Sequence, residues 1–301
     1  MDWSKSFGHL TVMGAEALEA LAIKEDGVYV DATLGGGGHS RLILQRLGAK
    51  GRLIAVDQDP EPRAWAEEGW GRGEGRLTVK AGNFENLPEL LAEEGILKVD
   101  GILADLGLSS RQLARRGRGF SWTCDEPLDM RLDPDGPLSA WEVVNRYPEK
   151  ELADLIWRYG EERASRKLAR AIVRQRPIDT TDQLAALAAK VLYRPGPPPR
   201  IHPATRTFMA LRIAVNRELE VLENFLAQAP ALLKTGGRLV AISFHSLEDR
   251  LVKEAFRRKD DNGDSPWRPI YKKPLTAAEE EVSVNPRSRS AKLRAAERTA
   301  P

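Results

Sequence analysis

Four consecutive glycines, Gly35 to Gly38, constrain this chain more than any other feature. They follow the apolar run Val28-Tyr29-Val30 and precede Arg41-Leu-Ile-Leu-Gln-Arg-Leu47, whose apolar spacing is helical. Such a run is costly in chain entropy, so it calls for a backbone that bends sharply or comes close to a ligand. Strand, glycine turn and helix together cradle an adenine-bearing cofactor, because the glycines admit close backbone approach and the helix start offers free N–H groups. About twenty residues further on, a second strand-like run, Leu53-Ile-Ala-Val56, ends in Asp57. A carboxylate there is placed to accept hydrogen bonds from ribose hydroxyls.

The spacing argues against a dinucleotide. A G-x-G-x-x-G fingerprint opening at Gly35 needs glycine where the chain has Ser40, and the third glycine normally allows close helix–strand packing. Asp31 before the loop, a flat glycine run and Asp57 after the second strand suit S-adenosylmethionine better. A second cluster, Gly71-Arg-Gly-Glu-Gly75, has no strand before it and reads as a surface turn.

The first hundred residues alternate strand and helix. Strands are predicted at Val28–Asp31, Arg52–Val56, Arg76–Lys80 and Val99–Ala104, the last running into Asp105-Leu-Gly. Helices are predicted at Ser40–Leu47, from Pro60, and over Asn83–Leu91. This rhythm implies an α/β fold, a doubly wound parallel sheet with helices on both faces. From about 110 to 200 no strand pattern appears. Apolar spacing fits helices over Asp154–Ile172, and Thr181–Leu192 is a helix capped by Thr180 or Thr181. The stiff stretch Arg194-Pro-Gly-Pro-Pro-Pro-Arg200 reads as a boundary. Phe208, Leu211, Val215, Leu219, Leu222 and Leu226 then mark one amphipathic helix. Arg238–Ser243 is a fifth strand, and Ser246-Leu-Glu-Asp249 caps the helix after it. The expected organisation is a core over 1–110 and 202–301, interrupted by a helical domain over 111–201. Ala291, Leu293 and Ala295 alternate with cations, which suits a final antiparallel edge strand or a loose basic arm.

With 301 residues the chain is long enough to bury a sizeable core. No apolar run approaches the roughly eighteen residues of a membrane span, and Met1-Asp-Trp-Ser-Lys-Ser6 lacks the apolar core of a secretory signal. One cysteine, Cys124, and four scattered histidines exclude an internal disulfide and any cysteine-based metal cluster. A cytoplasmic protein without membrane or metal partners is expected. The net charge is only +2, but cations cluster at Arg111–Arg118, Lys150–Arg176 and Pro286–Arg298. Clustered cations in a balanced chain suit a polyanionic partner or a solvated face.

Three stretches carry chemistry. Asp105, ending the fourth strand, either accepts a hydrogen bond from an amine substrate or closes a turn. In Arg115-Arg-Gly-Arg-Gly-Phe-Ser-Trp122, Arg115 and Arg116 can bind phosphates, and Phe120 or Trp122 can stack on an unpaired base; a surface loop with one buried aromatic is the plain alternative. His245, at the end of the fifth strand, contacts substrate or cofactor, or orders the helix start. No G-x-S-x-G elbow supports a serine nucleophile.

These motifs resemble the ribosomal RNA small subunit methyltransferase H family, also called MraW. The resemblance runs from about Phe7 to Arg298. It is carried by Asp31–Arg41, Asp105–Leu113, Pro127-Leu-Asp-Met-Arg131, Tyr159-Gly-Glu-Glu-Arg163, Arg170-Ala-Ile-Val173, His202–Phe208, Ser243–Arg250 and Asn285–Ser290. It implies a Rossmann-like class I methyltransferase sheet with an inserted all-helical domain. It also implies transfer of methyl from S-adenosylmethionine to N4 of a cytidine in the decoding centre of bacterial 16S ribosomal RNA. The substrate is then free rRNA or an assembled small subunit. The resemblance places cofactor contacts on Gly37, Gly38, His39, Asp57, Phe84, Asp105 and Gln112. Where many amine methyltransferases carry an Asp-Pro-Pro-Tyr type motif, this chain has Asp105-Leu-Gly-Leu108, so the aromatic that holds the base comes from elsewhere, with Phe120 and Trp122 the candidates. Two other readings stand beside this one: a cofactor-binding ribosome-assembly factor that works as an RNA-binding module, and an NAD-dependent dehydrogenase, which Ser40 disfavours.

Overall fold

The structure is a computed structural model that describes residues 11–70, 75–108, 112, 116–193, 201–259 and 262–300. The chain divides into two compact units, one formed by 1–109 with 219–301 and the other by 110–218. Among the described residues, no helix is long and apolar enough to cross a membrane.

The first unit is built on one eight-stranded sheet. Its strands are β1 (Val28–Asp31), β2 (Arg52–Asp57), β3 (Leu77–Ala81), β4 (Val99–Asp105), β5 (Leu233–Ser243), β6 (Trp267–Pro269), β7 (Leu275–Thr276) and β8 (Lys292–Arg298). The order is β3-β2-β1-β4-β5-β8-β6, with β7 also paired to β8. β1 to β5 are parallel, and β8 runs antiparallel to β5. The order reverses between β1 and β4, which is the doubly wound, Rossmann-like arrangement.

Side-chain alternation explains why both faces are covered. Val30, Ile54, Ile102 and Leu239 face one core, shared with α4 (Leu87–Glu93), α10 (Glu218–Leu232) and α11 (Ser246–Ala255). Their neighbours Tyr29, Leu53, Leu103 and Val240 face the other, shared with α1 (Gly14–Leu21) and α2 (Gly38–Arg46). Helix α3 (Pro60–Trp70) covers the β2–β3 side through Ala66. Continuous apolar strands of this kind are what a parallel sheet buried on both faces requires.

The C-terminal segment is an interior strand rather than an edge or an arm. β8 lies between β5 and the short β6 and β7, and its cations are used within the unit. Lys292 and Arg294 both bond the Asp249 carboxylate, at 3.0 and 2.7 Å, and Arg298 donates to the Pro230 carbonyl at 2.9 Å. Arg287 and Arg289, on the turn just before, stay exposed. The acidic helix α12 (Glu279–Val284) precedes that turn.

The second unit is helical, with α5 (Ala140–Arg146), α6 (Glu149–Gly160), α7 (Ser165–Gln175), α8 (Thr181–Leu192) and α9 (Ala204–Val215). It continues past the proline stretch, which lies outside the described residues, because α9 packs on α6. A Cβ at Gly160 would stand 2.7 Å from the Arg206 carbonyl, so glycine permits that approach. The run from Phe208 to Leu226, predicted as one helix, is two. Arg217 has φ 51° and breaks it. Asn216 is held by the loop before α5, donating to Met130 O and accepting from Leu132 N, both at 2.8 Å.

Candidate active site

The glycine loop is held by carboxylates on either side. Gly35 and Gly37 have φ of 46° and 73°, conformations that side chains resist. Gly37 caps α2, and a Cβ on Gly38 would overlap the Thr11 hydroxyl. The fully buried Asp31 accepts from Ser40 Oγ at 2.6 Å and from Thr33 N at 3.2 Å. Ser40 therefore stands at the dinucleotide glycine position for a reason: its hydroxyl ties the helix start to the end of β1. Burial raises the Asp31 carboxyl to about 7 despite these bonds.

Asp57 closes the loop from β2. One of its oxygens accepts from Gly35 N and the other from Asp59 N, both at 2.9 Å. Burial raises it to about 6. Two carboxylate oxygens offer about four lone-pair sites, so Asp57 keeps capacity for ribose hydroxyls while it shapes the loop. Phe84 follows β3 on a short 3-10 turn capped by Asn83. Its half-buried ring meets Phe225 edge-on at 5.3 Å.

Asp105 ends β4, where Gly107 (φ 96°) lets the chain turn. Its amide donates to Thr33 Oγ1 at 2.7 Å, which joins the β4 end to the loop after β1. One carboxyl oxygen, Oδ2, lies 3.5 Å from His39 Nδ1. The other, Oδ1, is buried without a hydrogen-bond partner. Burial, and then the nearby carboxylates Asp31 and Glu248, push this group well above the usual carboxylate range. His39 Nε2 lies 3.0 Å from the Val12 carbonyl, which can only accept, so Nε2 carries a hydrogen. The other ring nitrogen, Nδ1, therefore faces Asp105 Oδ2 across 3.5 Å.

His245 orders the start of α11. The cap is this ring rather than Ser246: Nδ1 accepts from Glu248 N at 3.4 Å, and the Glu248 carboxylate accepts in return from His245 N and Phe244 N. Glu248 Oε1 is 3.1 Å from Nε2 but off the N–H direction, and Nε2 is buried with no hydrogen bond.

The first unit thus brings Gly37, Gly38, His39, Asp57, Phe84, Asp105 and His245 to the carboxyl ends of its strands and the loops that follow them. Gln112 is buried in the second unit. Arg116 is exposed there, and Arg115 lies outside the described residues. Phe120 is only 7% exposed, with the Arg118 guanidinium 5.5 Å over its ring, so it is a packed side chain and not an open stacking face. Trp122 is half-buried and stacks on His202 with centroids 4.0 Å apart. Sequence reasoning missed the roles of Thr33 and Glu248. Thr33, within the Asp31–Arg41 motif, carried a signal; Glu248 sits at the third helical position after His245, a capping-box spacing hidden by a histidine in the cap.

A family model described as the MraW methylase family matches residues 6–299. The chain belongs to this family. Relatives agree over nearly full length. Ribosomal RNA small subunit methyltransferase H of Koribacter versatilis is 49% identical over 98% of this chain and 95% of its own. The protein of that name from Thermomicrobium roseum is 50% identical over 97% and 94%. Among solved structures, a SAM-dependent O-methyltransferase from Thermotoga maritima aligns over 100% of this chain and 70% of its own, at 10% identity and a TM-score of 0.45. The doubly wound parallel sheet described above is the Rossmann-like core of this methylase-family chain.

Proposed function

We propose that this chain transfers methyl from S-adenosylmethionine to the exocyclic N4 of a cytidine in the decoding centre of 16S ribosomal RNA, in the cytoplasm. The observation that carries the chemistry is the Asp105 carboxyl, high in proton affinity and with Oδ1 buried and unpartnered. The substrate class rests on membership of a family whose relatives are named for small-subunit ribosomal RNA.

The residues fit the cofactor. Left-handed glycines admit close backbone approach, Asp57 has acceptor capacity for a ribose, and Phe84 joins the contact set the family resemblance implies. S-adenosylmethionine bound there supplies a methyl group already activated by the sulfonium charge, so catalysis rests on positioning and electrostatics. The cytosine amine is a weak nucleophile because its lone pair is delocalised into the ring. Asp105 Oδ1 accepts one N4 hydrogen and holds the amine so that the lone pair is drawn out of conjugation. N4 loses one proton as its bond to the methyl forms; the carboxylate form of Asp105 takes that proton at Oδ1, and burial raises its affinity for it. His39 Nδ1 faces Oδ2, which leaves Oδ1 as the acceptor. Exposed cations of the second unit, among them Arg116, Arg158, Arg166 and Arg174, hold RNA phosphates, with Arg115, Trp122, Arg287 and Arg289 as further contacts.

The test is labelled S-adenosylmethionine incubated with small subunits from a strain that lacks the enzyme, beside calorimetry with S-adenosylmethionine and NAD. Label is expected in small-subunit RNA, with binding of S-adenosylmethionine and not NAD. Cofactor binding without label would replace this reading with an RNA-binding assembly factor.

A further inference from the structure

We infer that Asp105 and His245 together read the edge of the target base: Asp105 Oδ1 accepts from the exocyclic amine, and His245 Nε2–H donates to the adjacent ring nitrogen. The inference rests on the methyl-transfer reading above and gives that site its base specificity.

Among the described residues of the first unit, three buried side-chain polar atoms lack a hydrogen-bond partner. One is Arg76 Nε, in a guanidinium already bonded through Nη1 to the Leu47 carbonyl. The other two, Asp105 Oδ1 and His245 Nε2, stand at the ends of neighbouring parallel strands. Asp105 pairs with Ile242, and His245 follows three residues later. His245 thus stands just beyond the end of β5, on the same carboxyl edge of the sheet as Asp105. Glu248 links them: it is 3.1 Å from His245 Nε2 and close enough to raise the Asp105 carboxyl. Leaving a buried polar atom unpaired is costly, so two on one edge of the sheet call for a common explanation.

Their hydrogen-bonding characters are opposite and fixed by their other contacts. His245 Nδ1 is an acceptor, because it receives the Glu248 amide. In the neutral ring the hydrogen is then on Nε2, which makes the orphan a donor. Asp105 Oδ1 is an acceptor: a carboxylate oxygen can only accept, and a proton on the carboxyl is drawn to Oδ2, which faces the bare Nδ1 of His39. One acceptor beside one donor matches cytosine, which offers an N4 hydrogen and a bare N3. Uracil inverts the pattern, with O4 facing Oδ1 and N3–H facing Nε2–H, and guanine inverts it likewise. Adenine repeats the cytosine pattern, so the pair selects amino-bearing bases, and ring size must separate the two.

The test is a chemical double-mutant cycle by single-turnover methyl transfer with the full-length enzyme. The substrates are small-subunit RNA carrying cytidine or 3-deazacytidine at the target, and the enzymes are wild type and His245→Ser. Serine is a good helix cap and lacks the ring donor, and melting curves check that the fold is kept. The wild type is expected to lose about 10–100-fold on 3-deazacytidine, and His245→Ser to treat the two RNAs alike within about twofold. A helix cap alone would slow both RNAs equally and leave their ratio unchanged, so the same penalty in both enzymes overturns the inference. No transfer by the wild type to the cytidine RNA is a different failure, that of the underlying reading.

Discussion

The two ends of strand β4 each hold a carboxylate, and they are treated in opposite ways. Asp100, at the start, is 8% exposed and fully compensated. It accepts from Val28 N at 3.0 Å and Lys234 Nζ at 2.6 Å, with Lys24 Nζ at 3.5 Å. Burial pushes its carboxyl up, but these bonds and the two lysine charges outweigh burial and hold it below its ordinary value. Asp105, five residues on, has no lysine or arginine bonded to it among the described residues, two carboxylates nearby and one oxygen unpartnered. The same residue type on one strand is fully bonded at one end and keeps an unpartnered oxygen at the other. The carboxyl end, where an α/β sheet binds ligands, is the end left unsatisfied.

Asp105→Ala should lower turnover by about 100-fold or more, as loss of a positioned acid–base group does, with thermal stability unchanged or raised because an uncompensated buried group is gone. A variant with near-normal turnover would remove Asp105 from the chemistry. Asp57→Ala should weaken S-adenosylmethionine by about 10–100-fold in calorimetry, the scale of a charged hydrogen bond; unchanged affinity would remove its ribose role. Asp100→Ala should do the converse of Asp105→Ala. It should cost about 1–2 kcal/mol in denaturant unfolding, a modest figure because both lysines are largely solvated, and leave the turnover of folded enzyme as it was.

The pH dependence of stability sharpens the contrast. Asp31 and Asp57, raised from 3.8 to about 7 and about 6, bind protons more tightly folded than unfolded. Their contribution is fully present below the unfolded value and is lost as pH rises through the folded ones. Asp100 is lowered, so its contribution is present above the unfolded value and is lost as pH falls. Unfolding measured between about pH 4.5 and 7.5 should therefore show a shallower decline in Asp31→Asn than in wild type. An unchanged slope would mean that Asp31 titrates alike in both states.

Much of this was legible in the sequence because it is written in local patterns. The glycine loop, strands β1 to β4 ending at Asp57 and Asp105, and helix α8 behind its Thr180 cap all follow from short-range spacing. What was not legible depends on partners distant in the chain. The break at Arg217 is secured by Asn216 bonding Met130 and Leu132, more than eighty residues away. The basic tail left a loose arm open beside an edge strand because Asp249, which holds Lys292 and Arg294, lies far upstream. β8 looked like an edge because β6 and β7, three and two residues long, are too short to show alternation. At the site, Phe120 read as a stacking candidate, but its ring is packed under Arg118. His245 concealed a capping box because a ring nitrogen stands where a hydroxyl or carboxylate usually does.

The central claim is that the end of β4 presents an amine, and no other atom of the base, for methylation. Small subunits methylated by this enzyme with isotope-labelled S-adenosylmethionine can be digested to nucleosides and the position of the label read by mass spectrometry. The account predicts a single labelled cytidine with the methyl on N4. Label on C5 of the ring, on a ribose oxygen or on uridine would contradict it.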